Sequence, residues 1–141
     1  MVMNDQESNN FLSNGRILRV ASIGSNGTPH IAPIWYVYEN GKFYVQTGPR
    51  SRKTQNIKAN SKVAFSVDVG EAFYDLKAVV GKGTARILTD RKFNDEIGKK
   101  ILLKYLGDLN DPAAKQLANL EHVVIEITPT TKTSWDYSKN H

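Results

Sequence analysis

Residues 45–67, VQTGPRSRKTQNIKANSKVAFSV, decide the reading of this chain. Val45 and Thr47 alternate with polar neighbours as a strand does, and Gly48-Pro49 stops the pleat. Arg50, Ser51, Arg52 and Lys53 follow directly, then about two helical turns, KTQNIKAN, with Ile57 facing inward. A second strand, KVAFSVDV, alternates Val63, Phe65 and Val67 against Ala64, Ser66 and Asp68. Ser51 is placed to cap the short helix, whose first free N–H groups favour an anion. Two guanidinium groups, an ammonium and the hydroxyls of Thr47 and Ser51 at one strand end have the chemistry of a phosphate clamp, since charge-assisted, forked hydrogen bonds suit a tetrahedral dianion. The alternative reading of the same four residues is a solvated basic turn.

Outward from this stretch the chain reads as a meander. Towards the N-terminus, ILRVASI and HIAPIWYVY form a hairpin about Ser25-Asn26-Gly27, and a second turn at Glu39-Asn40-Gly41-Lys42 leads into KFYVQT. Pro29 and Pro33 mark an edge or a bulge, which leaves backbone near Ile34 and Trp35 free to face something other than a strand. Residues 5–15 read as a short helix ended by Asn14-Gly15. Beyond the central stretch Gly70 breaks the strand, and LKAVVGKGTARIL follows with glycines at 81 and 83 that predict a bulge or bend.

At Asp90 the period lengthens. Phe93, Ile97, Ile101, Leu102 and Tyr105 share a helical face after a cap at Thr89 or Asp90, Gly107 ends that helix, and Asp111-Pro112 opens a shorter one, so that 90–120 is a helical excursion. HVVIEIT is the returning sixth strand, and 129–141 is a tail carrying Trp135. The expected fold is mainly β (α+β), one domain over 1–141: a six-stranded antiparallel split β-barrel with short flanking helices.

Composition narrows the function. The chain has 141 residues, no cysteine and a net charge of +5. Thiol catalysis and thiolate metal sites are thereby excluded, and with no signal-peptide pattern or apolar membrane span a cytoplasmic location is expected. The basic residues are spread among acidic ones without any nucleic-acid-binding motif, so neither nucleic acid nor membrane is the expected partner; a small-barrel nucleic-acid binder, motivated by the high pI and by Trp35, Tyr36 and Tyr38, is the outlying alternative. His30, His122 and His141 lack metal-ligand spacing, and no metal is expected. With few proton-transfer groups beside a phosphate clamp, either no chemistry occurs or a cofactor supplies it.

Thr47, Ser51-Arg52-Lys53, Ile57, Asn60 and the strand KVAFSV, with AVVGKGTARIL and the hairpin NGTPHIAPIWYV, resemble the FMN-binding split barrels related to pyridoxamine 5'-phosphate oxidase. The resemblance covers roughly residues 11–137. It implies a homodimer with two flavin sites in the groove between subunits. Arg52 and Lys53 would hold the FMN phosphate with Ser51, Thr47 and the adjoining Gln46, backbone at Pro33, Ile34 and Trp35 would lie against the isoalloxazine, and Trp135 would come from the other subunit. The chain departs from the oxidase proper by showing PIWYVY where that enzyme carries basic residues, and by ending soon after Trp135, which argues against vitamin B6 oxidation. The implied activity is an FMN-dependent oxidoreductase acting on a small molecule. Use of the deazaflavin F420, or a non-catalytic flavin-binding role, are the alternatives.

Overall fold

The computed structural model describes residues 2–140. Helix α1 (Asp5–Asn14) starts at a reciprocal cap in which the Glu7 amide donates to Asn4 Oδ1 and the Asn4 amide to Glu7 Oε1. Seven strands follow: β1 (Leu18–Ile23), β2 (Pro29–Ile34), β3 (Val37–Glu39), β4 (Lys42–Thr47), β5 (Lys62–Val69), β6 (Lys77–Leu88) and β7 (Val123–Asp136). Helix α2 (Arg52–Ala59) joins β4 to β5, and α3 (Arg91–Leu106) and α4 (Pro112–Ala118) fill the excursion between β6 and β7.

All pairings are antiparallel, in the order β2-β1-β5-β6-β7-β4-β3. The two edge strands, β2 and β3, are sequence neighbours separated only by Trp35 and Tyr36. A sheet whose opposite edges are joined by two residues must curl until those edges meet, so the ladder closes into a barrel split at this seam. The fold is the α+β split barrel expected, with seven strands instead of six. The difference lies at the seam: the Tyr36 amide donates to Tyr105 Oη, and that hydroxyl donates to the Tyr36 carbonyl. Both ladder groups of Tyr36 are taken by α3, which breaks HIAPIWYVY in two.

The last strand also runs further than expected, from Val123 through Pro129 to Asp136. Pro129 pairs with Gly83 at the register shift between Lys82 and Gly83, where a missing N–H is tolerated. Trp135 therefore stands on a strand opposite Ala78.

Alternation sorts the side chains. Leu18, Val20, Phe43, Val45, Phe65, Val67, Val79, Ile125 and Ile127 fill the barrel, with Ile57 of α2 and Leu12 of α1 in the same core. On the outer face of β3, β4 and β7, Val37, Tyr44 and Val124 pack under Ile97 and Ile101 of α3. The outer face of β1, β2, β5 and β6 is different. Register places Pro33, Arg19, Ser66 and Val80 in one row, and Ile31, Ala21, Ala64 and Lys82 in the next. Ile31 there is 67% exposed. No helix is long and apolar enough to cross a membrane.

Candidate phosphate-binding corner

The corner between β4 and α2 is built by its own sequence. Gly48-Pro49 ends the strand, Ser51 caps α2 in an extended conformation, and its Oγ accepts from the Thr54 amide at 3.2 Å. Thr54 Oγ1 donates to the Gly48 carbonyl at 2.8 Å, which leaves Ser51 as donor in the 2.9 Å contact between the two hydroxyls. Thr47 Oγ1 reaches Ser51 Oγ at 3.4 Å, a long bond that yields readily to a better acceptor. Thr54 is the member sequence reading missed, although its position three residues after the cap is a recognisable signal.

The cations of this corner are unequal. Arg50 lies 3.9 Å from Glu121, both side chains being mostly exposed, so their pairing is weak. Arg52 and Lys53 have no ion-pair or hydrogen-bond partner among the described residues. Lys53 is half-buried, and burial lowers its pKa from the ordinary lysine value. An ammonium held partly out of water without a counterion is a standing electrostatic cost, and a bound dianion would relieve it.

Of the other candidate residues, Pro33 and Ile34 close β2 at the seam, Pro33 exposed and Ile34 packed against the barrel core. The Trp35 indole turns towards α3 and stacks on Tyr105. Gln46 occupies the face of β4 opposite Thr47, and its Nε2 donates to the Asn94 carbonyl at 3.3 Å under α3. Trp135 is remote: Thr47 pairs with Val123, and Trp135 is the twelfth residue after Val123 on β7, about 40 Å along the strand. One chain alone thus brings Thr47 and Ser51 into contact and sets Arg52 and Lys53 on the first turn of the helix that Ser51 caps, with Gln46 on the opposite face of β4 and Trp135 at the far end of β7.

From Arg52 along α2 runs a cavity of about 560 Å³ between the helix and the β1–β2 hairpin, lined by His30, Arg52, Gln55 and Asn56 among others. Sequence reading weighed His30 only as a metal ligand. Among the described residues no cluster of three or more metal-ligating side chains occurs, and His141 lies outside them.

The comparisons agree with the fold. A conserved hypothetical protein from Mycobacterium tuberculosis is 27% identical, with a TM-score of 0.89 over 99% of this chain and 89% of that one. A FAD-binding protein from Mesorhizobium loti is 23% identical, TM-score 0.71, covering 95% of each chain. An F420 reductase is 24% identical, TM-score 0.69, covering 87% of this chain and 93% of that one. At such identities the last two attest the fold alone. No curated protein matches the chain. The family model described as pyridoxamine 5'-phosphate oxidase matches residues 5–136, nearly the whole barrel with its β4–α2 corner, and the chain belongs to that family.

Proposed function

We propose that this chain is a cytoplasmic, homodimeric flavin-dependent oxidoreductase that holds its cofactor by the phosphate at the β4–α2 corner. The observation that carries the reading is the pair Arg52 and Lys53, two cations without a counterion among the described residues, on the capped first turn of α2. FMN is the smallest flavin cofactor with the required phosphate. From His30 to Trp35 is five residues, about 16 Å along β2 and the seam, enough for a ribityl chain and a tricyclic ring to lie against the Pro33–Ile34 backbone. The protein contributes position and charge, and the cofactor supplies the redox chemistry on a small substrate.

The second subunit has a physical motive. The outer face of β1, β2, β5 and β6 carries small side chains, Ala21, Ala64 and Ser66, flanked by Ile31, Pro33 and Val80. Apart from the Arg19–Asp68 ion pair and Lys82 it is made of small and apolar side chains, and it is suited to a copy of itself. Trp135 lies on the same outer face, in the row of Asp68 and Ala78. A copy docked on this face would bring Trp135 into the interface.

Use of F420 is the second reading, favoured by the structural similarity to an F420 reductase. The ultraviolet-visible spectrum of the purified protein, with mass spectrometry of what denaturation releases, tests both. Flavin bands and a mass matching FMN are expected. A colourless protein that takes up neither FMN nor F420 would overturn the assignment.

A further inference from the structure

We propose that the cavity between α2 and the β1–β2 hairpin is a second anion subsite, which holds the part of the cofactor beyond the clamped phosphate: a further phosphate or a carboxylate. The inference rests on the phosphate clamp proposed above and extends it along α2.

Arg52, Gln55, Asn56 and Ala59 recur at helical spacing, so one stripe of α2 forms a wall of the cavity. The opposite wall is the hairpin segment Gly24–His30. The stripe begins at the residue next to Lys53, so the cavity continues the clamp without a gap in sequence. Its volume lies in the range of small-ligand sites.

The lining is selective in charge. It carries Arg52, a histidine and amide and hydroxyl groups, with no carboxylate among the described residues that line it. Most of these groups are satisfied: Asn56 Nδ2 donates to Ser22 Oγ at 3.1 Å, Gln55 Nε2 to the Pro49 carbonyl at 3.1 Å, and the Thr28 amide to Asn26 Oδ1 at 3.0 Å. Two are not. The Arg52 guanidinium, exposed on α2, has no hydrogen-bond or ion-pair partner among the described residues, and His30 Nδ1 is buried without one. A nitrogen taken out of water and left unpaired is uncommon in a folded protein. A half turn of the imidazole exchanges Nδ1 with Cδ2, so the ring can present a donor on either side. The side chains that carry the two groups line one cavity, and with the imidazole turned so that Nδ1 faces it an anion between them pairs with both.

FMN ends at its phosphate and would leave the cavity to water. FAD continues into a second phosphate, and the F420 tail into carboxylates, so the two are the arms of the experiment. Wild-type protein and the variants Ala59→Trp and His30→Ala would be titrated with FMN, FAD and F420, followed by cofactor fluorescence, with thermal melting as the folding control. Ala59 is exposed on the cavity wall, so an indole there fills the space without touching Ser51 or Lys53. Wild type should bind one longer cofactor about tenfold more tightly than FMN, the scale of one added charge-assisted hydrogen bond. Ala59→Trp should abolish that advantage and leave FMN affinity within about twofold, with His30→Ala acting in the same direction where the indole prevents folding. Preference for FAD identifies the second phosphate, preference for F420 the carboxylate. Equal binding of all three, weakened only by Lys53→Ala, would retain the clamp and overturn the subsite; binding of none would overturn both.

Discussion

The indole of Trp35 and the phenol of Tyr105 lie face to face, ring centroids 4.5 Å apart and planes within 6° of parallel. The Arg16 guanidinium sits 4.4 Å from the Tyr105 centroid, so Tyr105 is held between an indole and a cation. Its hydroxyl also binds both backbone groups of Tyr36. One side chain of α3 thereby fixes the seam and, through it, the backbone proposed to face the flavin ring. Tyr105→Phe removes only the hydroxyl's bonds and should destabilise by about 1 kcal/mol. Tyr105→Ala also removes the stack and should cost about 3 kcal/mol, with a larger loss of cofactor affinity than Tyr105→Phe. Urea unfolding of both variants checks the order; equal costs would mean that the stack carries no stability.

Lys53→Ala should separate binding from folding. Among the described residues the ammonium has no partner to lose, so the apo variant should melt at or slightly above the wild-type temperature. Cofactor affinity should fall by about 1–3 kcal/mol, the usual loss when one side of a charged hydrogen bond is removed. Wild-type affinity should also weaken as pH rises through the lowered pKa of Lys53, because a neutral amine no longer attracts a dianion. Lys58→Ala, an exposed lysine on the last turn of the same helix, is the control and should leave affinity unchanged.

Lys104 predicts how stability depends on pH. Its Nζ donates to the Tyr36 carbonyl at 3.0 Å and lies 3.9 Å over the Tyr36 ring. Burial, and then the charge of Arg16, pushes its pKa down to about 8 from the ordinary 10.5. Between those values the unfolded chain holds a proton the folded chain has released, so stability rises with pH across that window. Denaturant unfolding at pH 7.5 and 9.5 should find the protein more stable at the higher pH. Lys53 acts in the same direction, so Lys104→Met should flatten the slope without abolishing it. Above pH 10 the raised pKa values of Tyr36 and Tyr105 oppose the trend. A slope unaltered in Lys104→Met would rule this lysine out as its source.

What the sequence made legible was local. Asn40 and Gly41 carry positive φ values of 52° and 77° in the turn that Asn-Gly announces, Asp90 caps α3, and Gly107 ends it in the left-handed region. The β4–α2 corner was legible for the same reason, since Thr47, Ser51, Arg52 and Lys53 lie on one short stretch of backbone. The break at Trp35-Tyr36 was not, because an aromatic and β-branched run reads as continuous strand and the group that interrupts it lies 69 residues away on α3. The continuation of β7 past Pro129 was hidden similarly: a proline that looks like a stop is accommodated by a glycine on the neighbouring strand. Gln46 was grouped with Thr47 by adjacency, although strand alternation sends the two side chains to opposite faces. The proximity of His30 to α2 depends on the closed barrel, which no local pattern encodes.

Gly81 tests the barrel itself. A Cβ built there would lie 2.0 Å from the Thr131 carbonyl oxygen and 2.8 Å from Phe65 Cζ. The first neighbour is backbone of β7 and cannot swing aside, and the second is a ring in the close-packed core. Gly81→Ala therefore has to push β6 from β7 next to the register shift at Lys82 and Gly83, along the longest ladder in the sheet. The expected cost is about 3 kcal/mol, the upper part of the range for overpacking. At Gly98 of α3 the nearest atoms to an added Cβ belong to the flexible end of the Gln46 side chain, at 2.5 Å. Gly98→Ala should come out near neutral, since displacing that amide from the Asn94 carbonyl is offset by the gain of about 1 kcal/mol for alanine over glycine within a helix. Thermal melts of the two variants side by side decide the matter: equal stability would mean that β6 and β7 can separate at Gly81, and that the tight approach of these strands does not hold the barrel's shape.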